Sequence, residues 1–196
     1  MAITEPPYTP GFGRQPPTLA GREVLIAREM RALRAGPAHP EFCVAYLGRR
    51  GVGKTTMLDS IAAQVQSDLG WATLQVQAIR EESLLLTIAQ RMPASLRPWG
   101  RLGRDFKRFE AELQVSVNLG VVSASATVRS GAAAGPTTAP SEFENLLRRV
   151  GEFAQRNGTG LLISIDEAQS SATQDLAGLA RAAQTVVSRS QLPVAL

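Results

Sequence analysis

The feature that most constrains this chain is a glycine-rich loop at residues 48–55, which reads GRRGVGKT. An apolar run at 42–47 precedes the loop and predicts a buried strand, and apolar residues at helical spacing over 54–69 follow it. Glycines let a backbone turn so tightly that several N–H groups face one point. A strand, this loop and a helix in that order predict an anion-binding site and favour an α/β fold.

The residue types in the loop suit a nucleoside triphosphate. Lys54 supplies a charge that reaches the β- and γ-phosphates, and the Thr55 hydroxyl is a ligand for Mg²⁺. A chance glycine-rich turn is the alternative, and the flanking elements and a second motif downstream argue against it. The predicted phosphate-binding residues are Gly48, Arg49, Arg50, Gly51, Val52, Gly53, Lys54, Thr55 and Thr56.

The second motif, LLISIDE at residues 161–167, ends an apolar run with two carboxylates. The run predicts a strand of a parallel sheet with both of its faces buried. The end of this strand lies beside the loop if it is a near neighbour of the strand predicted at 42–47. We predict that Asp166 and Thr55 hold Mg²⁺. We also predict that Glu167 and Lys54 are catalytic, and that Glu167 orients and polarises the attacking water. The alternative is that Asp166 caps the helix beginning near Ala172.

The remaining segments show helix and strand patterns without an internal repeat. Five prolines mark residues 1–18 as an extended arm, and residues 19–196 form one α/β domain by pattern. The predicted helices are 19–35, 54–69, 81–91 (ended by Pro93), 141–158 (with Ser141 as N-cap) and 172–188; the predicted strands are 42–47, 71–78, 161–165 and one beginning near 192.

Residues 112–129 interrupt this order. Leu113, Val115 and Val117 alternate with polar residues, Gly120 follows, and a second alternating run comes after it. This pattern predicts an inserted β-hairpin, and the sequence SGAAAGPTTAP at 130–140 predicts a flexible linker.

The charge of the chain is mildly basic. A net charge of +4 over 196 residues does not by itself imply a nucleic-acid partner. Residues 91–110 nevertheless carry a net charge of +4 of their own, with Trp99, Phe106 and Phe109 interleaved. Two interpretations stay open: a segment that meets phosphates or stacks on bases, and a solvated helical face with aromatic anchors.

The cysteine and histidine content narrows the chemistry. Cys43 has no partner for an internal disulfide, and His39 alone cannot build a histidine metal cage. The sequence has no run of 18 uncharged apolar residues, and residues 1–18 lack a basic region and an apolar region of a secretory signal. These observations predict a cytoplasmic protein without a membrane partner.

The two motifs together resemble those of P-loop NTPases of the additional-strand catalytic-glutamate division. Residues 48–55 resemble Walker A and residues 162–167 resemble Walker B, in an order most similar to AAA+ or STAND-type ATPases. The sequence LAGREVLIARE at 19–29 resembles a segment that precedes Walker A in initiator-type members. The resemblance implies a three-layer α/β/α fold with a parallel sheet, Mg²⁺-dependent ATP binding and hydrolysis that drives conformational change, and Gly21 and Arg22 near the adenine.

The same resemblance implies a chain that is incomplete at its C-terminus. In AAA+ proteins a strand with a sensor residue, an arginine finger and a helical lid follow the second motif, whereas this sequence ends at Leu196. We therefore expect slow hydrolysis by the chain alone, and an arginine supplied by a neighbouring copy in a homo-oligomer. Two other hypotheses stay open: a nucleic-acid-handling ATPase of the initiator or transposition-helper kind, with DNA as partner, and a non-catalytic signalling scaffold that holds nucleotide.

Overall fold

The computed structural model describes residues 21–49, 51–128 and 140–196, and it describes side chains in these ranges except at 118–128. The arm predicted at 1–18, Arg50 and the linker predicted at 130–140, apart from Pro140, lie outside the described residues. The strands are β1 (Ala72–Gln77), β2 (Leu161–Asp166) and β3 (Val194–Ala195). The helices are α1 (Glu23–Ala35), α2 (Lys54–Gln64, extended by a π-helical turn Val65–Leu69), α3 (Leu84–Ser95), α4 (Arg104–Val128), α5 (Pro140–Arg156) and α6 (Thr173–Ala183, extended by a π-helical turn Gln184–Arg189).

The strands form one parallel sheet in the order β1-β2-β3. β1 and β2 pair along their whole length, from Ala72 opposite Leu161 to Gln77 opposite Asp166. β3 pairs only with the first two residues of β2. Because all strands run the same way, β1 and β2 end at one edge of the sheet, and that edge carries Asp166.

Helices cover both faces of the sheet. Leu161 and Ile163 of β2 point into a core shared with α3, α4, α5 and α6, whereas Leu162 between them joins a second core with α1 and α2. This alternation follows from the two-residue period of a strand, and it gives a strand that is apolar on both sides. The predicted α/β/α architecture around a parallel sheet is confirmed.

The core on the α3–α6 face is rich in aromatic side chains. Phe153 of α5 stacks on Phe109 of α4, with ring centroids 4.2 Å apart, and on Trp99, at 5.6 Å. Trp99 comes from a 3₁₀ turn, Arg97–Leu102, that joins α3 to α4. Aromatic rings at such distances contribute beyond the area that they bury, so Phe153 ties three elements together.

The predicted hairpin at 112–129 is wrong, because the chain continues as helix α4 from Arg104 to Val128. Phe106, Phe109, Leu113 and Val117 recur at three- and four-residue steps, and they pack on the large core. Between 113 and 117 a helical stripe and a strand alternation share Leu113 and Val117 and differ only at Val115, which is 58% exposed, so a short window hardly separates them.

Three further features differ from the prediction. Residues 42–47 are not a strand; their backbone link to the sheet is one hydrogen bond from the Val44 N–H to the Leu196 carbonyl, and Leu47 is 96% exposed. Pro93 lies inside α3, near its end, where few backbone bonds depend on it. Pro140 is the first residue of α5, so Ser141 is not the N-cap but stands in the first turn.

None of the helices in the described ranges combines the length and the apolar composition that crossing a membrane requires.

Candidate functional site

The glycine-rich loop turns into α2 through two glycines in the left-handed region. Gly51 has φ +82° and Gly53, the N-cap of α2, has φ +80°. Among the described residues nothing lies within 4 Å of the Cβ that either glycine lacks, so the backbone angle and not crowding favours glycine here. These angles turn the chain from residues 44–49, which form neither helix nor strand, into the first turn of α2.

The start of α2 presents unused hydrogen-bond donors. No side chain caps it, and the first backbone bond at this end runs from the Met57 N–H to the Gly53 carbonyl. The Thr55 and Thr56 N–H groups have no acceptor among the described residues. Free N–H groups and the positive end of the helix dipole together form an anion-binding site.

Lys54 adds a full positive charge at this helix start. Its Nζ donates to the carbonyls of Gly48 and Arg49, at 3.0 and 3.1 Å, and so links the two ends of the loop. Neutral carbonyls are weaker partners for an ammonium group than phosphate oxygens are. The loop therefore holds its lysine beside the free amides, with partners that an anion can replace.

Thr55 and Asp166 meet although they lie 111 residues apart in the sequence. Thr55 Oγ1 donates to Asp166 Oδ2 at 2.5 Å, and Asp166 Oδ1 accepts from the Glu167 N–H at 2.9 Å. Both carboxylate oxygens are thus fixed. A hydroxyl and a carboxylate are hard oxygen donors of the kind that Mg²⁺ takes beside water and phosphate, so this pair fits the ion.

Glu167 leaves β2 in an unusual backbone conformation. Its φ of +53° is in the left-handed region, which costs a non-glycine residue on the order of 1–3 kcal/mol. A 3₁₀ turn, Ala168–Ser170, follows, and Gln169 Nε2 donates to Glu167 Oε2. Gln169 thus orients this carboxylate, a role that the sequence did not predict although Gln169 stands two residues after Glu167.

The structure brings the central predicted residues together. Lys54, Asp166 and Glu167 line one cavity, and the hydroxyl of Thr55 contacts Asp166. Arg49 and Val52 are exposed, Thr56 is half-buried in the first turn of α2, and Arg50 lies outside the described residues. The functional role of each residue stays a prediction.

Arg22 also reaches the loop. The guanidinium donates to the Val52 carbonyl at 2.6 Å from the residue just before α1. The sequence predicts Gly21 and Arg22 near an adenine, and that placement stays a prediction. The contact with the loop itself was not predicted, and no sequence pattern signals it.

The cavity has a volume of about 600 Å³ and mostly apolar walls, formed by residues 43–47, the end of β2 and α6. A buried carboxyl, Glu29 of α1, also lines it and accepts a hydrogen bond from the Tyr46 hydroxyl at 2.8 Å. Burial raises the pKa of Glu29, while Tyr46 and Arg28 lower it in part. Burial and the bond to Glu29 raise the pKa of Tyr46 as well.

The basic segment at 91–110 divides its residues between surface and core. Trp99, Phe106 and Phe109 are buried, so the interpretation that they stack on bases is wrong and they act as anchors in the large core. The basic residues of the segment are exposed: Arg91, Arg97, Arg101, Arg104, Lys107 and Arg108.

Comparison with known proteins matches residues 18–195 to the AAA ATPase domain. The match spans most of the chain, and the chain therefore belongs to the AAA ATPase domain family, a class of P-loop nucleotide-binding proteins. No curated protein and no solved structure gives a significant match to the chain.

Proposed function

We propose that this domain binds ATP together with Mg²⁺ at residues 48–56, hydrolyses the ATP slowly and couples the reaction to conformational change. The observation that carries the proposal is the hydrogen bond between Thr55 and Asp166, because it joins the glycine-rich loop to the carboxyl end of β2. A loop alone is an anion site. A loop beside a fixed carboxylate and hydroxyl is a site for a metal-bound polyphosphate.

The binding step uses backbone and lysine groups. The amides at the start of α2 donate to phosphate oxygens, and the ammonium of Lys54 leaves the carbonyls of Gly48 and Arg49 for the β- and γ-phosphates. Thr55 and Asp166 hold Mg²⁺, which neutralises charge on the phosphates when bound.

The hydrolytic step uses Glu167. Its carboxylate, oriented by Gln169, accepts a proton from the attacking water while the water oxygen bonds to the γ-phosphorus. The bond from the γ-phosphorus to the bridging oxygen breaks, so that ADP and phosphate leave. Lys54 stabilises the charge that develops on the phosphate oxygens.

The test measures binding of ATP with and without Mg²⁺ by titration calorimetry. Lys54→Ala removes the ammonium, and loss of charged hydrogen bonds of about 1.5–3 kcal/mol weakens the affinity about 10- to 100-fold. Lys107→Ala is the matched control, because Lys107 is an exposed lysine on α4. Equal affinity of the Lys54 variant and the wild type contradicts the proposal.

The variant Glu167→Gln distinguishes an ATPase from a scaffold that binds ATP without hydrolysing it. An ATPase retains ATP binding in this variant and loses turnover by about 10²- to 10⁴-fold. A non-catalytic scaffold shows no turnover in either protein. Wild-type turnover near or above about 1 per second contradicts slow hydrolysis, since it lies within the ordinary enzyme range.

A second candidate function, nucleic-acid handling, is favoured by the exposed basic segment. In the described ranges Arg91, Arg97, Arg104 and Lys107 make no ion pair with a carboxylate. Binding of duplex DNA through such residues falls steeply as salt rises. Absence of salt-sensitive DNA binding rules this candidate out.

The proposal includes two further predictions from the sequence. A neighbouring copy in a homo-oligomer supplies an arginine to the transferred phosphate, so turnover per chain rises with protein concentration. The cytoplasm, where ATP and Mg²⁺ are present together, is the proposed location.

A further inference from the structure

Arg22 holds the phosphate loop from outside. Its Nη2 donates to the Val52 carbonyl at 2.6 Å, and this carbonyl belongs to the peptide just before Gly53, the N-cap of α2. Arg22 is half-buried and stands before the first residue of α1. The bond therefore connects the start of one helix to the start of the other.

Because a peptide group is planar, the hydrogen bond from Arg22 to the Val52 carbonyl also sets the direction of the Gly53 N–H. The described residues contain no cis peptide bond, so the Val52 carbonyl and the Gly53 N–H point in opposite directions. When Arg22 holds the carbonyl on its own side, the Gly53 N–H is directed away from Arg22. The direction of the amide that precedes Lys54 is thus set by a residue outside the loop.

Without this contact the peptide has little to hold it. Gly53 adopts positive and negative φ with similar ease, so its own backbone preference does not fix the orientation of the peptide between Val52 and Gly53. Within the described residues the Val52 carbonyl accepts from Arg22 and from no other group. If the loop is not already ordered, a ligand that needs one orientation of this amide loses part of its binding free energy to ordering the loop.

The position of Arg22 is fixed by the packing of helix α1 on helix α2. Ile26 and Met30 of α1 are buried against Met57 and Ile61 of α2, in the smaller of the two cores. The Ile26 N–H donates to the Arg22 carbonyl at 3.0 Å, which fixes the backbone of Arg22 to the first turn of α1. The packing of α1 on α2 therefore sets the position from which the guanidinium reaches the loop.

We propose that Arg22 is a positioning residue of the phosphate loop, one that fixes the Gly53 amide for a polyphosphate and acts on no part of the base. The inference rests on the proposed function and changes the role of Arg22 from an adenine contact to a loop contact. Its effect falls on the phosphates that the loop amides hold, which ATP, ADP and inorganic pyrophosphate have in common.

The first test uses the nucleotide-free protein and needs no ligand. With ¹⁵N-glycine labelling, Arg22→Ala is expected to shift or broaden the amide resonances of Gly51 and Gly53, and Arg22→Lys, which keeps a donor of similar reach, restores them. Arg31→Ala is the matched control on α1, because Arg31 is exposed and makes no side-chain bond in the described ranges. Unchanged loop resonances in Arg22→Ala overturn the inference.

The second test compares the dissociation constants of ATP, ADP and pyrophosphate. Arg22→Ala is expected to weaken all three by a similar factor, about three- to tenfold for one solvent-accessible charged hydrogen bond, with the melting temperature kept. Weakened ATP and ADP with unchanged pyrophosphate overturn the inference in favour of a base contact. Weakened ATP alone overturns it in favour of a γ-phosphate contact.

The two tests separate this inference from the proposed function. If the wild-type protein binds none of the three ligands, the proposed function fails, and the glycine resonances still decide whether Arg22 orders the loop. If ligands bind and the resonances do not respond to Arg22, the proposed function stands and the positioning role is wrong.

Discussion

The two faces of the sheet differ in what they are built from. The face under α3, α4, α5 and α6 is closed by aromatic rings centred on Phe153, and these rings are buried. The face under α1 and α2 has a smaller core, whose aromatic contact in the described ranges is the pair Phe42 and Trp71, with ring centroids 6.1 Å apart, and its loop end at Lys54 and Thr55 leaves polar groups at least partly exposed. The first face is filled by packed side chains, whereas the second ends in N–H groups that have no acceptor among the described residues.

The contrast teaches how stability and binding are divided in this molecule. Apolar side chains of the large core pack against each other, whereas the amides at the start of α2 lack acceptors in the described ranges. β2 belongs to both parts, because Ile163 packs into the large core while Asp166 ends the strand at the loop. The packing of β2 in the large core therefore helps to set where the carboxylate lies.

The largest effect that we predict is on the core side. Phe153→Ala removes a ring that stacks on both Trp99 and Phe109, and a phenylalanine-to-alanine cavity lowers the free energy of unfolding by about 3–5 kcal/mol. Urea unfolding followed by circular dichroism measures the loss. While the variant is folded, its affinity for ATP should stay within about twofold, since Phe153 and the rings that it stacks on belong to the core on the opposite face of the sheet from α2.

A milder change keeps this prediction testable if the alanine variant does not fold. Phe153→Leu retains most of the volume and is expected to lower the free energy of unfolding by about 1–2 kcal/mol. A loss of ATP affinity larger than the loss of stability in either variant breaks the division between the two faces.

The next effect lies on the site side. Asp166→Asn keeps the size of the side chain and removes its charge, so affinity for ATP with Mg²⁺ should fall about tenfold, whereas affinity without Mg²⁺ should stay equal or rise because a negative charge near the phosphates is gone. Calorimetry with and without Mg²⁺ measures both. The free energy of unfolding should change by less than about 1 kcal/mol at this solvent-accessible pair.

Asp59→Asn is the matched control for this prediction. Asp59 is on α2 and accepts a hydrogen bond from Gln75, away from the loop, and its replacement changes the net charge equally. A similar loss of Mg²⁺-dependent affinity in both variants shows that Asp166 acts through general charge and not as a ligand of the ion.

The parts of the site that the sequence predicted are those that depend on local chemistry. Two features depend only on residues that are neighbours in the sequence: the glycine at positive φ before Lys54 and the carboxylate at the end of an apolar strand. The sequence therefore located the loop and β2 correctly. Thr55 and Asp166 also meet as predicted, but not by the expected route, because residues 42–47, which lead into the loop, are not a strand of the sheet.

The parts that were missed depend on partners far along the chain. Residues 42–47 have strand-forming side chains, yet a strand needs a neighbour along its length, and β3 (Val194–Ala195) is only two residues long. Helix α4 shows its period only over the twelve residues from Phe106 to Val117, which a five-residue window conceals. The bond from Arg22 to Val52 depends on how α1 packs on α2, which no local pattern encodes.

The smallest predicted effect concerns the buried carboxyl beside the cavity. Tyr46→Phe removes the donor to Glu29 and should lower the free energy of unfolding by about 1 kcal/mol when Glu29 is ionised, as for one hydrogen bond in a partly buried pair. Burial raises the pKa of Glu29 above its ordinary value of 4.5. The stability linked to this group is therefore complete below about pH 4.5 and is lost as the pH rises through the folded pKa.

The hydroxyl of Tyr46 opposes that loss, because it favours the charged form of Glu29. Its removal raises the pKa of Glu29 further, so the loss of stability with rising pH becomes larger in Tyr46→Phe and its midpoint moves to higher pH. Urea unfolding between about pH 4 and pH 8 measures the curve. In a Glu29→Gln background the same substitution should cost a constant amount, and a penalty that ignores pH in both backgrounds shows that the bond between Tyr46 and Glu29 does not govern this corner of the α1 face.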